Sequence, residues 1–307
     1  MENNIIPQSE RTKDENEVVE DLYKLETTPS VEDGFYKMRI VEFEQEESTF
    51  KDFELVKVFH PENTQVGVID NKIVAYKDLV KPQKISIEGR KSDQKTIERN
   101  KGESIEIEFS KEAVKDQDLM VSKTSLRAGD RRLDKTEEIF EDAEKGSDIN
   151  FLHLIILATF LGVSTALLID ADASGKYSIY FYEYKSNGKN KEIDVVHPRE
   201  RRSEQLVRLP VEEMEDLKLS LKWTDTHKIE PLGLAKEIDA DQFEKEVLEC
   251  QKITELKEGK VGNGIEGDLK LTPGEGGLLY FPTGNKDGKG KKTTYFLRSR
   301  GFYYPVK

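Results

Sequence analysis

The segment Asp170-Ala171-Asp172-Ala173-Ser174-Gly175 carries residue types and a spacing able to hold a cation. Calcium loops place oxygen side chains at positions 1, 3 and 5, then use glycine at position 6 to turn the chain around the ion. Asp170 and Asp172 would supply carboxylates, and Ser174 a weaker hydroxyl oxygen. The twelfth position, where an EF-hand has its bidentate glutamate, is Phe181, which excludes an EF-hand. A hairpin calcium loop and an ordinary turn made from Asp, Ser and Gly both satisfy this spacing. Two carboxylates without the glutamate limit Ca²⁺ binding to roughly 10⁻⁴–10⁻³ M.

Other chemistry is thinner. The histidines are His60, His153, His197 and His227, and none has a second ligand at helical or two-residue spacing, so no zinc site is visible. His60 and His197 each precede proline and read as strand ends. Cys250 stands alone, which rules out an intramolecular disulfide and reads as a structural thiol. Arg199, Arg201 and Arg202 cluster around Glu200, either as a docking point for an acidic protein partner or lipid headgroup, or as a solvated loop. The loop TGNKDGKGKK (283–292) is basic and glycine-rich but lacks the spacing of a phosphate loop. No nucleophile elbow or Cys-His constellation appears, so we expect a non-enzyme; a hydrolase with a spatially assembled site stands third among the readings.

The elements around these residues read mainly as β. FYKMRIVEFEQ, FELVKVFH, TQVGVID, KIVAYKD, KISIEG and SIEIEFS are short alternating segments divided by Asp, Asn, Gly and Pro. KISIEG and SIEIEF put Ile on one face and charge on the other, as half-exposed strands require. KEIDVVHP, EQLVRLP, LKLSLKWTDTHKIEPLGL, GLLYFP and TTYFLRSRGFYYP continue the pattern. EIDADQFEKEVLECQKI reads as helical, with Phe243, Val247 and Leu248 at helical spacing. We expect two β-sandwich-like modules, 33–130 and 150–307, behind a flexible acidic arm (1–32) and joined by a charged linker (131–149). VFHPEN and VVHPRE, GESIEIEF and GEGGLLYF, and SLRAGD and FLRSRG echo one another in the same order, at unequal separations.

Phe151 to Ile169 is uncharged, and 19 such residues reach the lower end of a membrane span, roughly 20. Asp148, Asp170 and Asp172 at its flanks are not the Lys, Arg, Trp or Tyr that usually frame a span. STALLID and KYSIYFYEYK also read as the arms of a hairpin about 170–175, which leaves 150–163 as a short buried helix. The buried reading is preferred, and a single-pass membrane accessory subunit is the alternative. A net charge of −13 makes nucleic acid an unfavourable partner. The first residues lack the basic start and apolar core of a signal peptide, which favours the cytoplasm, with membrane association as the alternative.

LKWTDTHKIEPLGL (221–234), EGDLKLTPGEGGLLYF (266–281) and TYFLRSRGFYY (294–304) resemble β-sandwich modules of exported FG-GAP and ASPIC/UnbV-type bacterial and archaeal proteins. The resemblance implies scaffolding or adhesion rather than a reaction. The leading expectation is a non-catalytic structural or protein-interaction component.

Overall fold

The computed structural model describes residues 2–3, 18–25, 27–42, 46–110, 117–126, 179–183, 190–196, 203–210, 218–224, 226–240, 243–257, 260–272, 274–286, 288 and 290–305. These residues are mainly β, arranged in four sheets whose strands are numbered in chain order. Sheet A runs β1 (Glu2–Asn3), β4 (Phe35–Val41), β22 (Gly276–Pro282), β19 (Lys252–Lys257) and β20 (Lys260–Ile265), with β3 (Ser30–Glu32) on β4. Sheet B runs β18 (Glu244–Glu249), β5 (Glu46–His60), β23 (Lys292–Pro305) and β2 (Val19–Lys24), with β21 (Leu269–Leu271) on β5. Sheet C runs β15 (Ser203–Arg208), β12 (Leu119–Leu126), β17 (His227–Ile238), β7 (Lys72–Val80) and β6 (Gln65–Ile69), with β10 (Ile97–Arg99) on β17. Sheet D runs β14 (Lys191–Val196), β13 (Ile179–Glu183), β16 (Lys218–Trp223), β11 (Ser104–Glu108), β8 (Lys84–Ile87) and β9 (Arg90–Ser92).

Turn chemistry sets several of these registers. Asp33-Gly34, Asp70-Asn71 and Glu88-Gly89 all have positive φ at both positions, the signature of the two-residue turn whose twist matches antiparallel strands. They join β3 to β4, β6 to β7 and β8 to β9. The alternation of SIEIE then places Ile105 and Ile107 in the core and leaves Ser104 exposed.

Sheets A and B pack across one core that includes Tyr23, Met38, Phe50, Phe53, Leu55 and Phe281. Sheets C and D pack across another, which includes Ile105, Met120, Phe181, Leu221, Trp223 and Ile229. Sheet C also curls on itself. A Cβ at Gly67 of β6 would meet Leu206 and Glu204 of β15, so the two edge strands of that sheet lie against each other. The curl is helped by a register shift at Val121/Ser122 opposite β17, where Gly233 passes so close to the Val80 carbonyl that only glycine fits.

Every sheet takes strands from both 33–130 and 150–307, so sheet membership does not follow that division of the chain. Among the described residues, the strands within 2–60 and 244–305 build A and B, and those within 65–238 build C and D. Two expectations are corrected. Residues 19–24 of the expected arm are a paired strand, held by the chain's own C-terminal strand from Val19↔Gly301 to Lys24↔Phe296. The helix expected in 237–253 is instead the end of β17, strand β18 and the start of β19: pairing Glu244–Glu249 along β5 satisfies the backbone and buries Leu248. GLLYFP and TTYFLRSRGFYYP are strands as expected, the first in sheet A and the second in sheet B.

Candidate interaction face and clamp

The residues singled out for chemistry lie elsewhere than the described structure. Asp170, Asp172, Ser174, Arg199, Arg201, Arg202 and the apolar stretch 151–169 are all outside the described residues. Among the described residues, no helix is long and apolar enough to cross a membrane, and no group of three or more His, Cys, Asp or Glu side chains is placed to hold a metal. The turn about 170–175 and its first arm also lie outside the described residues; of the second arm, Ile179–Glu183 is a strand, paired with β14 from Val196 to Lys191 and with β16 from Trp223 to Leu219.

That same strand builds the most distinctive surface. IYFYE alternates strictly, so Ile179, Phe181 and Glu183 turn inward while Tyr180 and Tyr182 turn outward, half-buried. The two rings stack, with centroids 6.2 Å apart and planes at 19°. Lys222 stands opposite Tyr180 across the strand pair and is exposed; Glu192, exposed on the edge strand, stands opposite Tyr182. Burial, with Glu192 and Tyr180 beside it, pushes the Tyr182 phenol above its ordinary range, so it stays a neutral donor. Small Ser220 stands opposite Tyr182, Ser104 lies beyond Lys222 on the next strand, and Lys218 reaches Glu106 at 2.9 Å farther along the face. The result is a flat aromatic platform with a cation on one margin and a carboxylate on the other.

A second cluster sits where the basic loop meets sheet B. Lys57 Nζ, 5% exposed, pairs with Glu246 Oε2 at 2.7 Å and donates to the Thr283 carbonyl at 3.2 Å. Its charge lies 5.3 Å from the Phe59 ring centroid and 5.8 Å from that of Tyr36. Glu246 Oε1 accepts from the backbone N–H groups of Asn285 and Lys286 at 3.0 and 3.1 Å. Burial would raise this carboxyl, but Lys57 and the two N–H groups outweigh it and hold it below its ordinary range. The glycine-rich loop therefore wraps a carboxylate from its own chain, and a Cβ at Gly284 would collide with it. The cluster is a clamp in which a buried lysine pairs with a carboxylate that the loop backbone also holds.

A groove of ≈ 390 Å³ lies between Asp52, Glu249, Lys252 and Arg300, over Cys250 and Ile253. The Cys250 thiol donates to the Lys252 carbonyl at 3.3 Å, and burial pushes its pKa up. A thiol held protonated in this way is a poor nucleophile.

His60 ends β5, as the following proline suggests, and Trp223 donates its indole N–H to the His227 carbonyl at 3.1 Å. The sequence reading missed Tyr180, Tyr182 and Lys57. The alternation of IYFYE was the available signal for the tyrosines, whereas nothing local marks Lys57, whose partner is 189 positions away in sequence (246 − 57). No protein-family model, curated protein or solved structure matches this chain.

Proposed function

We propose that the chain is a non-catalytic structural or protein-interaction component whose contact surface is the outer face of sheet D. The observation that carries this reading is the stacked Tyr180–Tyr182 pair, half-exposed between Lys222 and Glu192. Tyrosine suits such a role because it brings a large rigid apolar ring with a polar tip at small entropic cost. The two-module architecture belongs to the same proposal in a revised form. Sheets A and B make a β-sandwich from both ends of the chain, and 65–238 is a second sandwich set into it. Glu244 stands opposite Phe59, so the chain leaves and re-enters the first sandwich at adjacent points of what would otherwise be a hairpin. The first sandwich then anchors, and the second presents the tyrosine face. The scaffolding or adhesion implied by the FG-GAP-type resemblance accords with that division of labour.

The test is site-specific photocrosslinking in cells of the source organism, with the probe at position 182 and, as control, at exposed Lys270 in sheet B. A discrete protein adduct at 182 only, lost on Tyr180→Ala without change in the melting temperature, is the expected result. Equal labelling from both positions would remove the face as a contact surface. Reproducible turnover abolished by a single substitution would remove the non-catalytic reading.

A further inference from the structure

The chain passes between the two sheet pairs twice, over 60–65 and over 238–244, and both passages meet at one histidine. His60 is wholly buried at the end of β5. Its ring lies 6.2 Å from that of Phe243, on the returning passage. Around them, Leu22, Val56, Val58 and Phe296 of sheet B pack on Val66 and Ala75 of the β6–β7 hairpin, with Phe243 and Ile238 at the margin. Two polar contacts complete the joint. The Asn71 side chain accepts from Leu22 N at 3.3 Å and donates to the Glu20 carbonyl at 2.6 Å, closing the open edge of β2. Lys24 and the Tyr76 hydroxyl both reach Glu204, at 2.7 and 3.0 Å.

We propose that His60 is a pH-sensitive latch on this joint, and that its protonation loosens the seating of the β6–β7 hairpin on sheet B. The hydrogen bonds assign the resting tautomer. Nδ1 lies 3.1 Å from the Pro61 carbonyl, which only accepts, so Nδ1 carries the proton. Nε2, 2.8 Å from Thr294 Oγ1, then accepts from that hydroxyl. A second proton must go to Nε2, which abolishes that acceptor and puts a charge in a site closed to water. The charged groups acting on the ring are Lys292, opposite it on β23, and Lys24 of β2, and both repel an imidazolium. Nearby carboxylates are engaged elsewhere: Glu204 with Lys24 and Tyr76, Glu244 with Lys286 and Lys291. Burial, the largest effect, together with the two lysines pushes the imidazole below its ordinary range against the pull of the Pro61 and Thr64 backbone carbonyls. A loosened joint takes the proton near the ordinary value of about 6.5, so the latch holds fully above that pH and weakens as pH falls below it.

Hydrogen exchange of the full chain between pH 7.5 and 5, corrected for intrinsic rates, reads the joint directly at the Leu22 amide. Its protection should fall by up to about tenfold per pH unit, the limit for one proton. The amides of Ile105 and Ile107 in sheet D should keep theirs, and His60→Gln should abolish the dependence at Leu22. Lys292→Gln retains the histidine and should shrink the dependence, so it serves if the first variant does not fold. Equal losses at Leu22 and Ile105, or a dependence that survives His60→Gln or is unchanged in Lys292→Gln, would overturn the latch.

Discussion

Sheet B joins segments far apart in sequence along one long pairing laced with charge, whereas sheet D is built from shorter strands over a core rich in aliphatic side chains. β5 and β23 pair from His60↔Lys292 to Glu46↔Pro305, and β2 adds to the same ladder. Across it, Arg298 reaches Glu54 at 2.7 Å, and Arg300 reaches Glu20 at 2.8 Å and Asp52 at 3.7 Å. In sheet D the strands are short and the core is rich in isoleucine and leucine around Trp223. The difference follows from where each half obtains its order. Joining chain ends requires closing a very long loop before any contact forms, and an extended cross-strand ladder supplies many interactions for that one closure. Charges placed opposite one another also fix the register of the ladder, since a one-residue slip reverses every side chain.

The largest expected effect separates the two halves. Trp223→Ala removes a fully buried indole from the C/D core and should cost about 3–5 kcal/mol, as should Phe53→Ala in the A/B core. Scanning calorimetry then decides whether the comparison is thermodynamic as well as architectural. Two transitions, each lowered by only one of the variants, are expected if the two sheet pairs unfold separately. A single transition lowered equally by both would make them one cooperative unit.

The clamp should make acid sensitivity a property of the A/B half. Glu246→Gln leaves Lys57 buried without its counter-charge and should cost about 3–5 kcal/mol. Because the folded-state carboxyl is held below its ordinary value, its contribution is complete above about pH 4.3 and is lost as pH falls through the folded value. Melting temperatures of the parent should therefore drop in that acid range more steeply than those of Glu246→Gln. Parallel curves would show that the carboxylate contributes nothing specific there.

The smallest effect tests the ladder. Arg300→Ala should cost only about 0.2–1 kcal/mol, because its ion pairs are partly exposed, and the loss should shrink in high salt. A larger, salt-independent loss in denaturant titration would show that the arginine stem is packing rather than pairing.

The sequence by itself determined the local structure with a two-residue period. KISIEG and SIEIEF are strands whose isoleucines pack toward the C/D core, IYFYE is a strand, and Asp33-Gly34 and Asp70-Asn71 turn with residue types that tolerate positive φ. These are decisions made within a few residues by sterics and side-chain alternation. Tertiary structure alone decided which strands become neighbours. Val247 and Leu248 sit at helical spacing with Phe243, yet the open edge of β5 draws Glu244–Glu249 into a strand. Nothing local distinguishes Lys57 from the other lysines of alternating strands. It becomes a buried ion pair only because sheet B brings β18 beside β5 and because Thr283, Asn285 and Lys286 close over the pair. The tyrosine face has the same origin: its rings were legible as strand residues, but the lysine and glutamate at its margins come from strands that only sheet formation sets beside them.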